Sequence, residues 1–252
     1  MIKKISFIGS GNVASVFAEK FSSVNIDVIN IISRNQRTGK ELAQKVNAKY
    51  YKSIRRLDDC DMIFICTNDD NIVKISEELP DILVAHTSGN TSISSIKGKK
   101  RKAVIYPIQS LSKNEKVSFN EIPFCIEASD LETKAKIHEL LSRISKNIHT
   151  INSSERKLIH MSAVIASNFS NFCYIMGYEI LKEKNISFDL LKPLIQHTAE
   201  KNLNREPKKN LTGPAARRDF KTIKEHLALI DNKNYKKIYE IISKTIIDKY
   251  EK

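Results

Sequence analysis

A short glycine-rich turn near the N-terminus has residue types and spacing that suit the binding of an anion. Its six residues are Gly9, Ser10, Gly11, Asn12, Val13 and Ala14. They follow an apolar run at residues 5–8 and precede a helical pattern, which predicts a strand, a tight turn and a helix N-terminus. Gly9 permits the sharp turn, Gly11 lets a pyrophosphate approach the backbone, and Ala14 lets the helix pack closely on the strand. The N–H groups at the helix start would face that anion, which predicts a dinucleotide site. A glycine-rich turn without a ligand is the alternative.

An arginine after the second predicted strand indicates which dinucleotide the turn would hold. Residues 26–32 predict that strand, and Ser33, Arg34 and Asn35 follow it. About 20 residues beyond the glycine turn, NAD-binding units carry an acid that grips the ribose hydroxyls. Arg34 stands there instead, and a guanidinium pairs with a 2′-phosphate that a carboxylate would repel. With Ser33 and Asn35 as neutral donors, the sequence predicts NADP(H) rather than NAD(H). An ordinary exposed arginine is the alternative.

The end of a third strand carries polar side chains that would line the same site. The nearly continuous apolar run at residues 62–66 is typical of a parallel strand buried on both faces, and it ends in Thr67 and Asn68. Ligands of open α/β sheets bind beyond the carboxyl ends of strands, so Thr67 and Asn68 are predicted to lie along the nicotinamide half of the cofactor. Asp69 is predicted to cap the next helix rather than to act in catalysis.

The strand at residues 82–85 ends in a titratable histidine and several small polar groups. His86 and Ser88 are candidates for the wall of a substrate site, and a tight turn with a locally hydrogen-bonded His86 is an equal alternative. Imidazole titrates near neutral pH, so His86 is a candidate for proton transfer. Ser88 would orient a substrate or stabilise an oxyanion.

Residues 154–184 form a long periodic stretch that predicts one continuous helix. At 100° per residue, one line along it joins His160, Ser167, Asn171 and Tyr178, with Asn168 beside the line. Such a row of hydrogen-bonding groups would face either a polar substrate or another helix. His160 is therefore a second candidate for proton transfer, and Asn168 and Asn171 are candidates for orienting a substrate.

The order of the elements predicts two domains. Strand and helix patterns alternate as far as residue 151, which predicts an α/β domain with a Rossmann-like, doubly wound and mostly parallel sheet. From residue 153 the pattern is helical only, and the last helix is predicted to run from Tyr235 to Tyr250. The chain therefore divides into an NADP-binding domain, residues 1–152, and an all-α domain, residues 153–252.

Composition argues against several classes of protein. The 252 residues carry a net charge of +13, but the lysines are spread along the whole chain, so no specific nucleic-acid surface is predicted. No apolar run approaches the ~18 residues of a membrane span, and the first strand begins too early to leave room for a signal peptide. The four cysteines lack metal-ligand spacing, which indicates reduced thiols in a cytoplasmic protein without a metal site.

The motifs together resemble a bacterial family that joins a Rossmann-like, NADP-oxidoreductase-type domain to a helical C-terminal domain of unknown function. The resemblance lies in residues 9–14, 86–89, 106–109, 160–171 and 211–219. This family is related to pyrroline-5-carboxylate reductase and to the 6-phosphogluconate dehydrogenase-like superfamily. The resemblance implies a homodimer through the C-terminal helices, a substrate pocket between the domains and a loop at residues 212–216 that helps to line it. The Lys-x-x-x-Asn pair of hydroxyacid-type relatives is missing from the long helix, which argues against their mechanism.

The sequence therefore predicts an NADP(H)-dependent oxidoreductase that transfers a hydride to or from a small carbonyl or imine substrate. His160 or His86 would supply or accept the proton. The alternative is a catalytically inactive NADP-binding protein with a regulatory or assembly role, because the sequence contains no residue that is irreplaceable for catalysis.

Overall fold

The computed structural model describes residues 1–115 and 117–249, and the chain divides after residue 164 into two compact units. The strands are β1 (Lys4–Ile8), β2 (Asp27–Ile32), β3 (Lys49–Tyr51), β4 (Met62–Ile65), β5 (Leu83–His86), β6 (Lys102–Pro107), β7 (Phe124–Ala128) and β8 (Ile148–Thr150). The α-helices are α1 (Asn12–Ser22), α2 (Gln36–Lys45), α3 (Ile72–Glu78), α4 (Leu131–Ser142), α5 (Ser153–Ala163), α6 (Ser170–Glu183), α7 (Lys192–Asn204), α8 (Phe220–Leu229) and α9 (Lys233–Lys249). A π-helix, Val164–Phe169, lies between α5 and α6.

The first unit is built on one sheet with the strand order β3-β2-β1-β4-β5-β6-β7-β8. β6 and β7 pair in antiparallel fashion, and the other neighbouring strands are parallel. The prediction of a Rossmann-like, mostly parallel sheet followed by helices is thereby confirmed. Because β1, β2, β4, β5 and β6 run in the same direction, their carboxyl ends share one edge of the sheet, where ligands of such folds bind.

Successive residues of the central strands pack on opposite faces of the sheet. Phe7 and Phe64 stack with ring centroids 5.0 Å apart, and Phe17 of α1 contacts Phe64 on the same face. Ile65 belongs to the hydrophobic core of the other face, together with Ile72 of α3. Burial on both faces explains the continuous apolar runs of these strands.

The structural division follows residue 164, whereas the sequence predicts a boundary after residue 152. The difference arises because α5 is anchored to the sheet of the first unit. Arg156 of α5 is fully buried and forms an ion pair with Glu127 of β7. The first part of the long helical stretch therefore belongs to the first unit.

Residues 154–184 do not form one uniform α-helix. α5 ends at Ala163, and the π-helix follows directly. A π-helix closes its hydrogen bonds from i to i+5, so a rotation of 100° per residue does not hold through it. The predicted helical stretch is therefore continuous from Ser153 to Glu183, but its middle is a π-helix, so the polar row predicted at 100° per residue loses its geometric basis.

The second unit, from residue 165 onward, is helical. Aromatic contacts join its helices, between Phe172 of α6 and Tyr235 of α9 and between His226 of α8 and Tyr239 of α9. The last helix extends to the end of the described residues, and its predicted end, Tyr250, lies outside them. In the described part of the chain, none of the helices has the length and apolarity that a membrane crossing requires.

Candidate functional site

A cavity of about 680 Å³ opens at the carboxyl edge of the sheet in the first unit, a size typical of small-molecule sites. Its lining includes the predicted cofactor residues Gly9, Ser10, Gly11, Asn12, Ser33, Arg34, Thr67 and Asn68. Val13 and Ala14 were predicted with them but do not line the cavity, because their side chains point to the core side of α1. Ala14 is fully buried and allows the close packing of helix on strand that its small size predicts.

The two glycines of the turn serve different purposes. Gly9 has a φ of +119°, and a Cβ atom there would lie 2.2 Å from the carbonyl oxygen of Cys66, so the fold itself requires glycine. Gly11 has a φ of −81°, which any residue adopts, and a Cβ atom there would meet no atom of another residue within 4 Å. The space in front of Gly11 fits the close approach of a phosphate group to the backbone.

The start of α1 offers backbone donors to the same space. Gly11 is the N-cap residue, no side chain caps the helix, and its first turn contains no acid. The first intrahelical bond runs from the N–H of Ser15 to the carbonyl of Gly11, so the N–H groups of residues 12–14 precede the intrahelical ladder. Together with the helix dipole, these donors favour an anion.

Charged side chains around the cavity are mostly cationic. Arg34, Lys52, Lys74 and Lys113 line it, and Glu78 is the one carboxylate among its described lining residues. Arg34 is exposed, and no hydrogen bond or ion pair within the described residues engages its guanidinium. The cavity therefore presents an available planar cation beside the glycine turn, which fits a phosphorylated ribose.

Hydroxyl groups fasten the glycine turn to the end of β2. The Oγ atom of Ser10 lies 2.7 Å from Ser33 Oγ and 2.7 Å from Thr38 Oγ1. The Oδ1 atom of Asn35 accepts a hydrogen bond from the backbone N–H of Thr38 and caps α2. Ser33, predicted as a donor to a phosphate, is 9% exposed and bonded within the protein, so its main effect is to fix the loop that carries Arg34.

His86 and Ser88 organise the loop after β5 and do not line the cavity. His86 is fully buried, its Nδ1 atom accepts a hydrogen bond from the N–H of Ser88, and burial lowers its pKa to about 4. The structure thus favours the locally hydrogen-bonded alternative for His86. The hydroxyl of Ser88 donates to Asp69 at 2.7 Å and accepts from the N–H of Thr91. Asp69 therefore accepts a hydrogen bond from this loop. The prediction that Asp69 caps the next helix is wrong, because residues 69–71 form a short 3₁₀ helix and no side chain caps the start of α3.

His160 of α5 lies against the end of β6. Its Nδ1 atom is 3.1 Å from the hydroxyl oxygen of Tyr106, and the two rings meet edge to face with centroids 5.7 Å apart. A Cβ atom at Gly89 would lie 2.7 Å from His160 Nδ1 and 2.9 Å from Tyr106 Cε2, so only glycine leaves room for both rings. Burial raises the pKa of Tyr106 still further above neutral, so the phenol is protonated at neutral pH. The sequence alone does not mark Tyr106 as a site residue.

A buried arginine one helical turn before His160 fixes the position of α5. Besides its ion pair with Glu127, Arg156 donates from Nη2 to the carbonyl oxygen of Thr91 at 2.5 Å. Ser153 adds a hydrogen bond from its hydroxyl to Glu127 at 2.8 Å. Because Thr91 belongs to the loop that contains Gly89, this network ties α5, β7 and that loop together around the Tyr106–His160 pair.

Two predicted residues lie in the second unit. Asn168 falls within the π-helix and Asn171 within α6, and both are exposed. Their role in orienting a substrate stays a prediction. In the residues that the structure describes, no cluster of His, Cys, Asp and Glu side chains could hold a metal ion.

Comparison with known proteins identifies both parts of the chain. Residues 4–98 match the family described as NADP oxidoreductase, coenzyme F420-dependent, and residues 122–246 match the domain of unknown function DUF2520. Over 98% of each chain, the sequence is 33% identical to a crystal structure from Bacteroides fragilis described as a "putative NADP oxidoreductase", with a TM-score of 0.90. No functionally curated protein matches the chain.

More distant solved structures share the fold. A reductive aminase from Aspergillus terreus, in complex with NADPH and ethyl-5-oxohexanoate, is 11% identical over 99% of this chain and 95% of its own, with a TM-score of 0.73. A pyrroline-5-carboxylate reductase from Coxiella burnetii is 15% identical over 99% and 98%, with a TM-score of 0.57. The predicted resemblance and the predicted cofactor class, NADP(H), are both confirmed at the level of the family. The chain belongs to the family that joins an NADP oxidoreductase, coenzyme F420-dependent, domain to a C-terminal DUF2520 domain.

Proposed function

We propose that this protein is an NADP(H)-dependent oxidoreductase that acts on a small carbonyl or imine compound. The observation that carries the proposal is the cavity in which the open space at Gly11 lies beside the available guanidinium of Arg34. Arg34 would pair with the 2′-phosphate, and the backbone at Gly11 and the start of α1 would hold the pyrophosphate. Thr67 and Asn68 would line the path of the nicotinamide half.

The reaction needs a hydride and a proton. Bound NADPH supplies the hydride, which is the chemistry of the cofactor. His160 is our candidate for the proton, because His86 is fully buried and held neutral near physiological pH, whereas His160 is only partly buried. Ser88 is not proposed to orient the substrate, since its hydroxyl proton is directed at Asp69.

The substrate class is supported by the chemistry of structurally similar enzymes. Reductive aminases, imine reductases and a pyrroline-5-carboxylate reductase share the fold, and the names of all three refer to reactions at C=N bonds. An imine nitrogen accepts a proton readily, so a positioned imidazole suits its reduction. We therefore expect imines ahead of 2-keto acids and aldehydes.

We further propose that the protein forms a homodimer through its C-terminal helices. Large apolar side chains of the second unit are exposed to solvent, among them Leu203 at 86% and Leu229 at 70% of their surface. So much exposed apolar surface marks an interaction site in a folded protein, and a second copy of the chain is its expected occupant. Light scattering after gel filtration should give twice the mass of the chain, and a monomer at micromolar concentration would contradict the proposal.

Turnover of NADPH with a panel of cyclic imines, 2-keto acids and aldehydes tests the proposed function. We expect NADPH oxidation with at least one imine, and a His160→Gln variant should lose about 10²–10⁴-fold in kcat while keeping its NADPH affinity. His138→Gln, which changes an exposed histidine of α4, is the matched control. If the protein binds NADPH tightly but no compound of the panel leads to NADPH oxidation, a regulatory or assembly role is favoured instead.

A further inference from the structure

We propose that Tyr106 is a positioning residue for His160: its hydroxyl donates a hydrogen bond to Nδ1 and thereby holds the imidazole in the tautomer that carries its proton on Nε2. This inference rests on the proposed function, in which His160 handles the substrate proton: Nε2 would give its proton to the substrate while Nδ1 takes the proton of the Tyr106 hydroxyl, so that the ring stays neutral and the charge is left on the phenolate. It adds a residue of β6 to a site that the sequence places on the glycine turn and the long helix.

The geometry of the pair defines which ring nitrogen is held. The Tyr106 hydroxyl oxygen lies 3.1 Å from Nδ1, within hydrogen-bond range, whereas Nε2 of His160 has no partner among the described residues. A neutral imidazole nitrogen is a strong acceptor, and a phenol is a better donor than acceptor. The hydroxyl therefore donates to Nδ1, and the second ring nitrogen is left to carry the proton.

Three contacts from different elements keep the two rings in place. Gly89 gives the rings the space that any Cβ atom would occupy, at 2.7–2.9 Å from both. The edge-to-face contact of the rings limits their rotation. The buried network of Arg156 fixes α5 one turn away from His160. Only a ring with a fixed orientation presents the same nitrogen to the same neighbour at all times, and these contacts fix the orientation of the His160 ring.

A second pair of the same kind provides a matched control. In the second unit, Tyr239 and His226 are also joined through Nδ1, at 2.7 Å, and their rings also meet edge to face. Neither residue of this pair is a candidate site residue, and neither lines the cavity of the first unit. Tyr106→Phe and Tyr239→Phe are therefore the same chemical change, each made beside a different histidine.

Nitrogen NMR of protein labelled with ¹⁵N-histidine reports the tautomer of each ring directly. Of the six histidines, His160 is assigned by comparison with the His160→Gln variant. At a pH where the ring is neutral, we expect wild-type His160 to be protonated on Nε2 only. Tyr106→Phe should convert it to a mixture of both tautomers, while Tyr239→Phe should leave His160 unchanged and alter His226 instead.

Several results would overturn the proposal. Wild-type His160 protonated on Nδ1 would show that the phenol accepts a hydrogen bond from the ring rather than donating one. This measurement uses the wild-type protein alone and does not depend on the folding of a variant. An unchanged tautomer in Tyr106→Phe would equally contradict it. Gly89→Ala should produce the same mixture by forcing the rings apart, and a single Nε2–H tautomer in this variant would refute the packing argument. These spectra require neither cofactor nor substrate, so their outcome is separate from any failure to oxidise NADPH.

Discussion

Substitution of alanine at each glycine of the cofactor turn should separate folding from cofactor binding. Gly9→Ala introduces a side chain at a φ of +119° with its Cβ 2.2 Å from a backbone oxygen that cannot move freely. The backbone strain costs about 1–3 kcal/mol, and relief of the overlap costs a further ~1–3 kcal/mol. We therefore expect the free energy of unfolding to fall by about 2–6 kcal/mol.

Gly11→Ala should behave in the opposite way. Its φ of −81° suits alanine, and the new Cβ meets open space in the protein. Alanine is a poorer N-cap residue than glycine. It also reduces the conformational entropy of the unfolded chain, which stabilises the folded state by about 0.4–1 kcal/mol, so the free energy of unfolding should change by less than about 1 kcal/mol. The methyl group would displace a phosphate from the backbone donors. Loss of two charge-assisted hydrogen bonds at about 1.5 kcal/mol each weakens NADPH binding by about 100-fold.

Urea unfolding and fluorescence titration with NADPH measure the two effects on the same preparations. The reasoning requires that Gly9→Ala lose mainly stability and that Gly11→Ala lose mainly affinity. A Gly11→Ala protein that binds NADPH as the wild type does would refute the placement of the pyrophosphate. A Gly9→Ala protein as stable as the wild type would refute the assigned role of this residue in the turn.

Two further predictions concern buried charge and proton binding in the first unit. Between pH 6.5 and pH 4, His86 is protonated in the unfolded state but not in the folded state, so the free energy of unfolding should fall by about 3 kcal/mol as the pH is lowered. Urea titrations at several pH values should show a flatter pH dependence for His86→Asn and an unchanged one for His138→Asn. Arg156→Met should lower the free energy of unfolding by about 3–5 kcal/mol because Glu127 is left without its partner, and adding Glu127→Leu should restore part of that stability. Equal stability of the single and double variants would contradict this pairing.

Features that are determined by a few adjacent residues could be predicted from the sequence. Three features are each recognised from a short sequence pattern: the glycine turn, the apolar strands and Arg34. A positive φ requires glycine, burial on both faces of a sheet requires a continuous apolar run, and Arg34 comes just after the end of a strand. The π-helix is different, since nothing in the apolar spacing of residues 154–184 marks the added residue per turn. The error in the polar row followed directly from that.

Features made by distant residues could not be predicted in this way. Tyr106 and His160 are 54 residues apart in the chain, and Glu127 and Arg156 are 29 apart. Neither member of these pairs is unusual by itself, and only the packing of α5 on the sheet brings them together. His86 illustrates the same point, because its fully buried environment, and hence its depressed pKa, is a property of the assembled strand ends.

The most direct test of the account is a fluorescence titration of the wild-type protein and its Arg34→Ala variant with NADPH and NADH. We predict that the wild type binds NADPH about 10–100-fold more tightly than NADH and that Arg34→Ala abolishes this difference by weakening NADPH binding alone. Arg37→Ala, which removes an exposed arginine paired with Glu41, should leave the preference intact. A wild-type protein with no affinity for either nucleotide, or an Arg34→Ala variant that still prefers NADPH, would contradict the central claim.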